Sequence, residues 1–167
     1  YAAPVLIRHL RSRGIGGGNL VVVSPDVGGI KMSHAFSKAL ESDFAIVAKQ
    51  RSSATEVTAL SVIGEVDGKD VLLVDDMTET AGTLTAAARL LKERGARRIF
   101  AGVSHAILGE MALSRLADSS IEELICTDST PQAKGPRVTT IGIAELMATA
   151  IRRIHDGESV TSLFDIG

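Results

Sequence analysis

The sequence is short of the features that mark a membrane protein, an oxidising compartment or a nucleic-acid partner. Only 3% of its 167 residues are aromatic, which leaves few rings on which single-stranded bases could stack. Cys126 is the one cysteine, so no internal disulfide can form and a reducing, cytoplasmic setting is expected. It lies in the apolar run IEELICT and reads as a small buried hydrophobe. No apolar stretch approaches the roughly 18 residues that span a bilayer, so no membrane partner is expected. Formal net charge is -2 with no block of like charges, so the electrostatic footprint of a DNA- or RNA-binding protein is missing. The opening YAAPVLIRHL has neither a charged leader nor an initiator methionine and reads as the start of a fragment.

What is present is enough apolar material for a core, 45% of the chain, at a length that suits one domain. Short β-branched runs alternate with amphipathic segments. LVVVS (20–24) reads as a buried strand ended by PDVGG, and 30–40 has helical spacing, with Ile30, Ala35, Phe36, Ala39 and Leu40 on one face. FAIVA (44–48) is a second strand, followed at 49–58 by a polar segment that reads as a mobile loop. Residues 61–66 and 70–74 flank Asp67-Gly68 and predict a small hairpin. The clearest helix is 83–94, with Thr83 as its N-cap and Gly95 as a left-handed stop. Strands are predicted at 98–103, 121–126 and within VTTIGI, and helices at 110–116 and 145–155. Alternating strands and helices imply βαβ units: an α/β fold with a mainly parallel sheet flanked by helices.

The stretch VLLVDDMTETAGTL (71–84) concentrates the chemistry. In open α/β sheets ligands bind at the carboxyl ends of strands, which is where Asp75 and Asp76 fall. Two adjacent carboxylates repel and lose hydration, so vicinal hydroxyls, a metal ion or nearby lysines must compensate. Glu79, Thr80, Ala81, Gly82 and Thr83 then offer backbone N–H groups, two hydroxyls and little bulk, and lead into a helix N-terminus that favours an anion. Acids for hydroxyls beside a cradle for phosphate describe a sugar phosphate, and ribose 5-phosphate fits both halves. Asp26, before Gly28-Gly29, reads by itself as a turn residue, and Lys49 and Arg51 as solvated surface charges.

VLLVDDMTETAGTL resembles the phosphoribosyl-binding signature of phosphoribosyltransferase-fold (type I) proteins. SPDVGG, FAIVAKQR, VIGEV-DGKDVLLVDDM, ERGARRIFAGVSHAIL and AIRRIHDGESVTSLF follow in the order and spacing of the ribose-phosphate pyrophosphokinase (phosphoribosyl pyrophosphate synthetase) family. The resemblance covers nearly the whole chain and is to the C-terminal half of that enzyme, so 1–167 is expected to be a C-terminal domain, 1–15 a domain-junction helix, and the N-terminal domain absent.

The resemblance implies transfer of the β,γ-diphosphoryl group of Mg-ATP to the 1-hydroxyl of ribose 5-phosphate, with homodimers assembling into hexamers. By similarity, Asp75 and Asp76 hold the ribose hydroxyls, residues 79–83 cradle the 5-phosphate, Lys49 and Arg51 belong to the flexible catalytic loop, and Asp26 is a Mg2+ ligand. Glu79 departs from the aspartate common in the family. Ser159, Thr161 and Phe164 match an allosteric pocket for phosphate or ADP; on the residues alone, the tail is equally a terminal strand packing Val160 and Leu163. His105 is expected to anchor a loop. Two alternatives share the two-aspartate loop: a nucleobase phosphoribosyltransferase, for which no base-recognition hood is visible, and a non-catalytic, synthetase-associated regulatory subunit.

Overall fold

All five residues of LVVVS are buried in β1 (Leu20–Ser24), as are the first five of β4 (Asp70–Thr78). A strand with no solvent face must sit inside a sheet covered on both sides. The computed structural model, which describes residues 2–50, 59–131 and 134–164, has that arrangement. Around the central pair lie β2 (Asp43–Gln50), β3 (Ala59–Ile63), β5 (Arg98–Ala106), β6 (Glu123–Thr127) and β7 (Val138–Ile141), in the order β3-β2-β1-β4-β5-β6-β7. Every neighbouring pair is parallel except β2–β3. The strand order reverses between β1 and β4, paired from Leu20↔Asp70 to Val23↔Leu73, and this reversal opens a crevice at their carboxyl ends.

Alternate residues of each strand feed two cores. Val21, Val23, Val71, Leu73, Ile99 and Val103 meet Leu84, Ala87, Ala88 and Leu91 of α3 (Gly82–Glu93) and Ala112 and Leu116 of α4 (Glu110–Ala117). On the other face Val22, Leu72, Val74, Phe100 and Ile125 meet Leu6, Ile7 and Leu10 of α1 (Ala3–Ser12) and Phe36 of α2 (Ile30–Ala39). Helix α1 reaches β5, β6, β7 and α2, so its apolar stripe is already covered by this sheet. The last helix, α5 (Ala144–His155), buries no residue. Cys126 is buried, as its apolar run predicts.

At the amino ends of the strands, the Asp70 carboxylate accepts hydrogen bonds from Arg97 Nε and Nη2 at 2.7 and 2.8 Å and from Arg98 Nη2 at 2.5 Å. Those two guanidinium groups hold its carboxyl well below the usual carboxylate range.

Three local expectations need correction. The turn at Asp67-Gly68 exists, with Lys69 N donating to Val66 O at 3.2 Å, yet the strands beside it do not pair. The antiparallel partner of β3 is β2, from Ile46↔Ile63 to Gln50↔Ala59. Val71–Val74 are wholly buried, and burial on both faces draws that segment into the sheet centre, away from a partly exposed neighbour. Second, Thr83 is not the N-cap of α3. Ala81 is, in the left-handed region at φ 56°, and no side chain caps it. Third, the tail forms a single 3₁₀ turn, Thr161–Phe164, in place of a strand. The stop at Gly95 is as expected: φ is +89°, and the amides of Gly95 and Ala96 take the carbonyls of Lys92 and Leu91.

Candidate active site

The crevice at the β1/β4 reversal is lined by the two loops that leave those strands. After β1 the chain turns on Asp26, whose Oδ1 accepts from the amides of Gly28 at 2.8 Å and Gly29 at 3.1 Å. The Ser24 hydroxyl donates to Asp26 O at 2.6 Å and fastens the same turn. A Cβ on Gly29 would stand 3.0 Å from Ser24 Oγ, so glycine is what lets the turn close on the strand end. One Asp26 oxygen is thus structural; its Oδ2 makes no hydrogen bond among the described residues.

After β4, Asp75 is half-buried and Asp76 exposed. The Asp76 amide donates to Asp75 Oδ1 at 2.9 Å, which favours the ionised carboxylate. Burial outweighs it, and the negative charges of Asp76 and Asp26 add to burial, so the Asp75 carboxyl is pushed up to about 6. Among the described residues, the charges that act on Asp75 are those of Asp76 and Asp26, both negative. That is the chemistry of a site awaiting a hard cation, hydroxyl donors, or both. Among the described residues no three His, Cys, Asp or Glu side chains converge into a ready-made metal cage. Oxygen-only donors supplying one or two carboxylates suit magnesium, which keeps several waters.

Glu79 and Thr80 are exposed, Ala81 is buried, and Gly82 opens α3. The amides of Glu79, Thr80 and Ala81 donate to no backbone carbonyl among the described residues, and Gly82 N reaches Thr80 Oγ1 only at 3.4 Å. The left-handed Ala81 joins this run of donors to α3, and amides without a carbonyl partner at a helix N-terminus favour an anion. Thr83 is exposed in the first turn. Beside it a hollow of about 210 Å³ is lined by Pro25, Val47, Leu60, Gly82 and Thr83, next to the cradle.

Lys49 lies in β2 opposite Leu60, at the same end of the sheet, and Arg51 lies outside the described residues. His105 Nδ1 is 2.6 Å from Ser129 Oγ, so it ties the end of β5 to the loop after β6, as expected of an anchor. Ser159, Thr161 and Phe164 are elsewhere. The Ser159 hydroxyl donates to Thr161 Oγ1 at 3.0 Å, and this tail touches α1. One contact had no signal in the sequence: Arg115 of α4 donates from Nη1 to the Thr80 carbonyl at 3.1 Å.

A larger hollow of about 650 Å³ sits at the opposite ends of the strands, among Arg13, Asp70, Arg97, Arg98, Glu123 and Arg137. Its guanidinium groups are engaged by Asp70, Glu123 and the carbonyls of Leu116, Ser119 and Ile121, so the charges there are largely spent on one another. The chemistry therefore belongs to the crevice.

Comparison with known proteins identifies the family. The phosphoribosyl synthetase-associated domain family matches residues 44–165. Ribose-phosphate pyrophosphokinase A of Dictyostelium discoideum is 42% identical over 98% of this chain and 52% of its own length. The ribose-phosphate pyrophosphokinase of Synechocystis is 44% identical over 98% of this chain and 50% of its own length. The chain thus spans about half the length of the curated relatives it matches. Phosphoribosylpyrophosphate synthetase from Mycobacterium smegmatis superposes with a TM-score of 0.84 at 31% identity, over 93% of this chain and 51% of that one. A purine phosphoribosyltransferase from Pyrococcus horikoshii, at 17% identity and a TM-score of 0.52, shares the fold. With a family model matched over residues 44–165, the chain belongs to the phosphoribosyl pyrophosphate synthetase family, through its synthetase-associated domain.

Proposed function

We propose that the chain is the ribose 5-phosphate-binding half of a ribose-phosphate diphosphokinase. The observation that carries this is Asp75, a carboxyl displaced to about 6 by burial and by Asp76 and Asp26, in a loop whose next amides, Glu79 to Ala81, donate to no backbone carbonyl among the described residues. Ribose hydroxyls donating to Asp75 and Asp76 relieve that repulsion, and the 5-phosphate takes the amides of residues 79–83 and the dipole of α3. The sugar is then held at both ends, which leaves its 1-hydroxyl free and oriented.

In the reaction the O1–Pβ bond forms, the bond from Pβ to the α-phosphate oxygen breaks, AMP leaves, and the 1-hydroxyl proton passes to solvent or a base. Catalysis of this class is positioning and neutralisation of charge. Mg2+, held by Asp26 and waters, would supply charge stabilisation to the transferring group. Lys49 and Arg51 would supply cations to that group and draw charge from it as the bond to AMP breaks.

The same reading makes residues 1–167 the C-terminal domain of a longer cytoplasmic enzyme, with 1–15 at the domain junction. That enzyme takes ATP and ribose 5-phosphate and assembles as homodimers and hexamers. Its phosphate or ADP pocket would draw on Ser159, Thr161 and Phe164. With much of the ATP site outside this chain, the isolated chain should bind sugar phosphate weakly and turn over poorly or not at all.

Calorimetric titration of ribose 5-phosphate with magnesium, into the chain and into Asp75→Asn/Asp76→Asn, tests the reading. Saturable binding abolished in the double variant is expected. Binding that survives both substitutions would refute it.

A further inference from the structure

The cradle has a support that neither strand end provides. Helix α4 sends Arg115 across to the phosphate loop, where Nη1 donates to Thr80 O at 3.1 Å. A trans peptide is planar, and its C=O and N–H point in opposite directions. With the Thr80 carbonyl turned to Arg115, the Ala81 N–H of the same peptide must point away from α4. Ala81 itself is left-handed at φ 56°, a conformation that alanine adopts only when its surroundings impose it. No side-chain cap imposes it here, because α3 has none.

Position adds charge to this bond. A Cβ built on Gly82 would lie 3.6 Å from Arg115 Nη1, so the guanidinium stands directly behind the first residue of α3. Arg89 of α3 lines the same cleft between α3 and α4, together with Asp118. The wall behind the cradle is therefore cationic on balance, while the wall facing Asp75 and Asp76 is anionic.

We propose that Arg115 is a positioning residue for the sugar phosphate: it holds the Thr80–Ala81 peptide so that its N–H faces the anion, and it backs the cradle with positive charge. The proposal rests on the sugar-phosphate reading of the crevice and adds to it the element that sets the loop's conformation. Arg115 touches neither ribose nor the transferring group. It acts on affinity for the phosphate end and leaves the acids free to take the hydroxyls.

The test is titration of ribose 5-phosphate, with magnesium, into the chain and into Arg115→Ala, Arg115→Met and Arg115→Lys, followed by calorimetry and by ¹H–¹⁵N spectra. Loss of one hydrogen bond in a charged site predicts binding weaker by roughly tenfold in Arg115→Ala and Arg115→Met. Arg115→Lys, which keeps a donor and a charge, should recover most of it. The Ala81 and Gly82 amide signals should shift on binding in the unmodified chain and in Arg115→Lys, and much less in the other two. Arg115 is exposed on α4, and alanine and methionine both suit a helix, so all three variants should melt with the unmodified chain. Unchanged affinity in Arg115→Ala and Arg115→Met would overturn the proposal and leave the sugar-phosphate reading standing. Weakened binding that Arg115→Lys does not restore would overturn it as well. Absence of binding by the unmodified chain would remove both readings together.

Discussion

Replacing Asp75 by asparagine should make the protein more stable as it loses its ligand. The carboxyl moves from 3.8 to about 6 on folding, about 2 pKa units in the direction that penalises the charge. At about 1.4 kcal/mol per unit, full burial would make this nearly 3 kcal/mol. Asp75 is only half-buried, so solvent screens part of the repulsion and about 1.5 kcal/mol is expected. Asparagine keeps the acceptor for the Asp76 amide and removes the charge that Asp76 and Asp26 oppose.

The sign follows from the raised folded-state value. The favourable contribution of protonated Asp75 is complete below its unfolded value of 3.8 and is lost as pH rises through about 6. Urea denaturation of both proteins across this range gives the difference directly, and titrating groups that do not interact with Asp75 cancel. The two should be nearly equal in stability at the acid end and diverge towards neutral pH, the variant being the more stable by about 1.5 kcal/mol. A difference independent of pH, or a less stable variant at pH 7.5, would refute the account of a strained carboxylate.

Asp70→Asn should act in the opposite sense and cost about 2 kcal/mol at neutral pH, less than a fully buried pair because Arg97 and Arg98 are half-exposed. Its depressed carboxyl contributes stability above the unfolded value of 3.8 that is lost as pH falls through and below it, so denaturation of the two proteins should converge in strong acid. Gly64→Ala should destabilise by about 2–4 kcal/mol in thermal or urea unfolding. Its φ is +121° and the new Cβ would stand 2.6 Å from Ala45 Cβ and 3.0 Å from Ala45 Cα, where β2 cannot yield.

Much of the fold can be read directly from the residues, because strands buried on both faces leave unbroken apolar runs. LVVVS forms β1 with no shift of boundary, and VLLV is buried in full. Pairing is less legible. Asp67-Gly68 makes a local turn, but which strands pair depends on how much apolar surface each can bury, and that is settled across the whole sheet. The left-handed Ala81 is hidden for a related reason: its conformation comes from the surrounding loop, not from its own preference. The acids of the crevice were visible as a pair, yet the displacement of Asp75 also needs Asp26, which is 49 positions away in the chain (75 − 26). Arg115 is an ordinary surface arginine until α4 is placed beside Thr80.

The placement of α1 has a consequence for how the protein is made. This first helix rests on β5, β6 and β7, and β7 begins 126 positions after α1 ends (138 − 12). A ribosome adding roughly 5–20 residues per second therefore leaves the seat of its apolar stripe incomplete for about 6–25 s. During that interval Leu6, Ile7 and Leu10 are only partly covered and remain accessible to chaperones or to neighbouring nascent chains. Docking of α1 must wait for the far edge of the sheet, so slow, non-local closure should govern the yield of folded protein more than its final stability does.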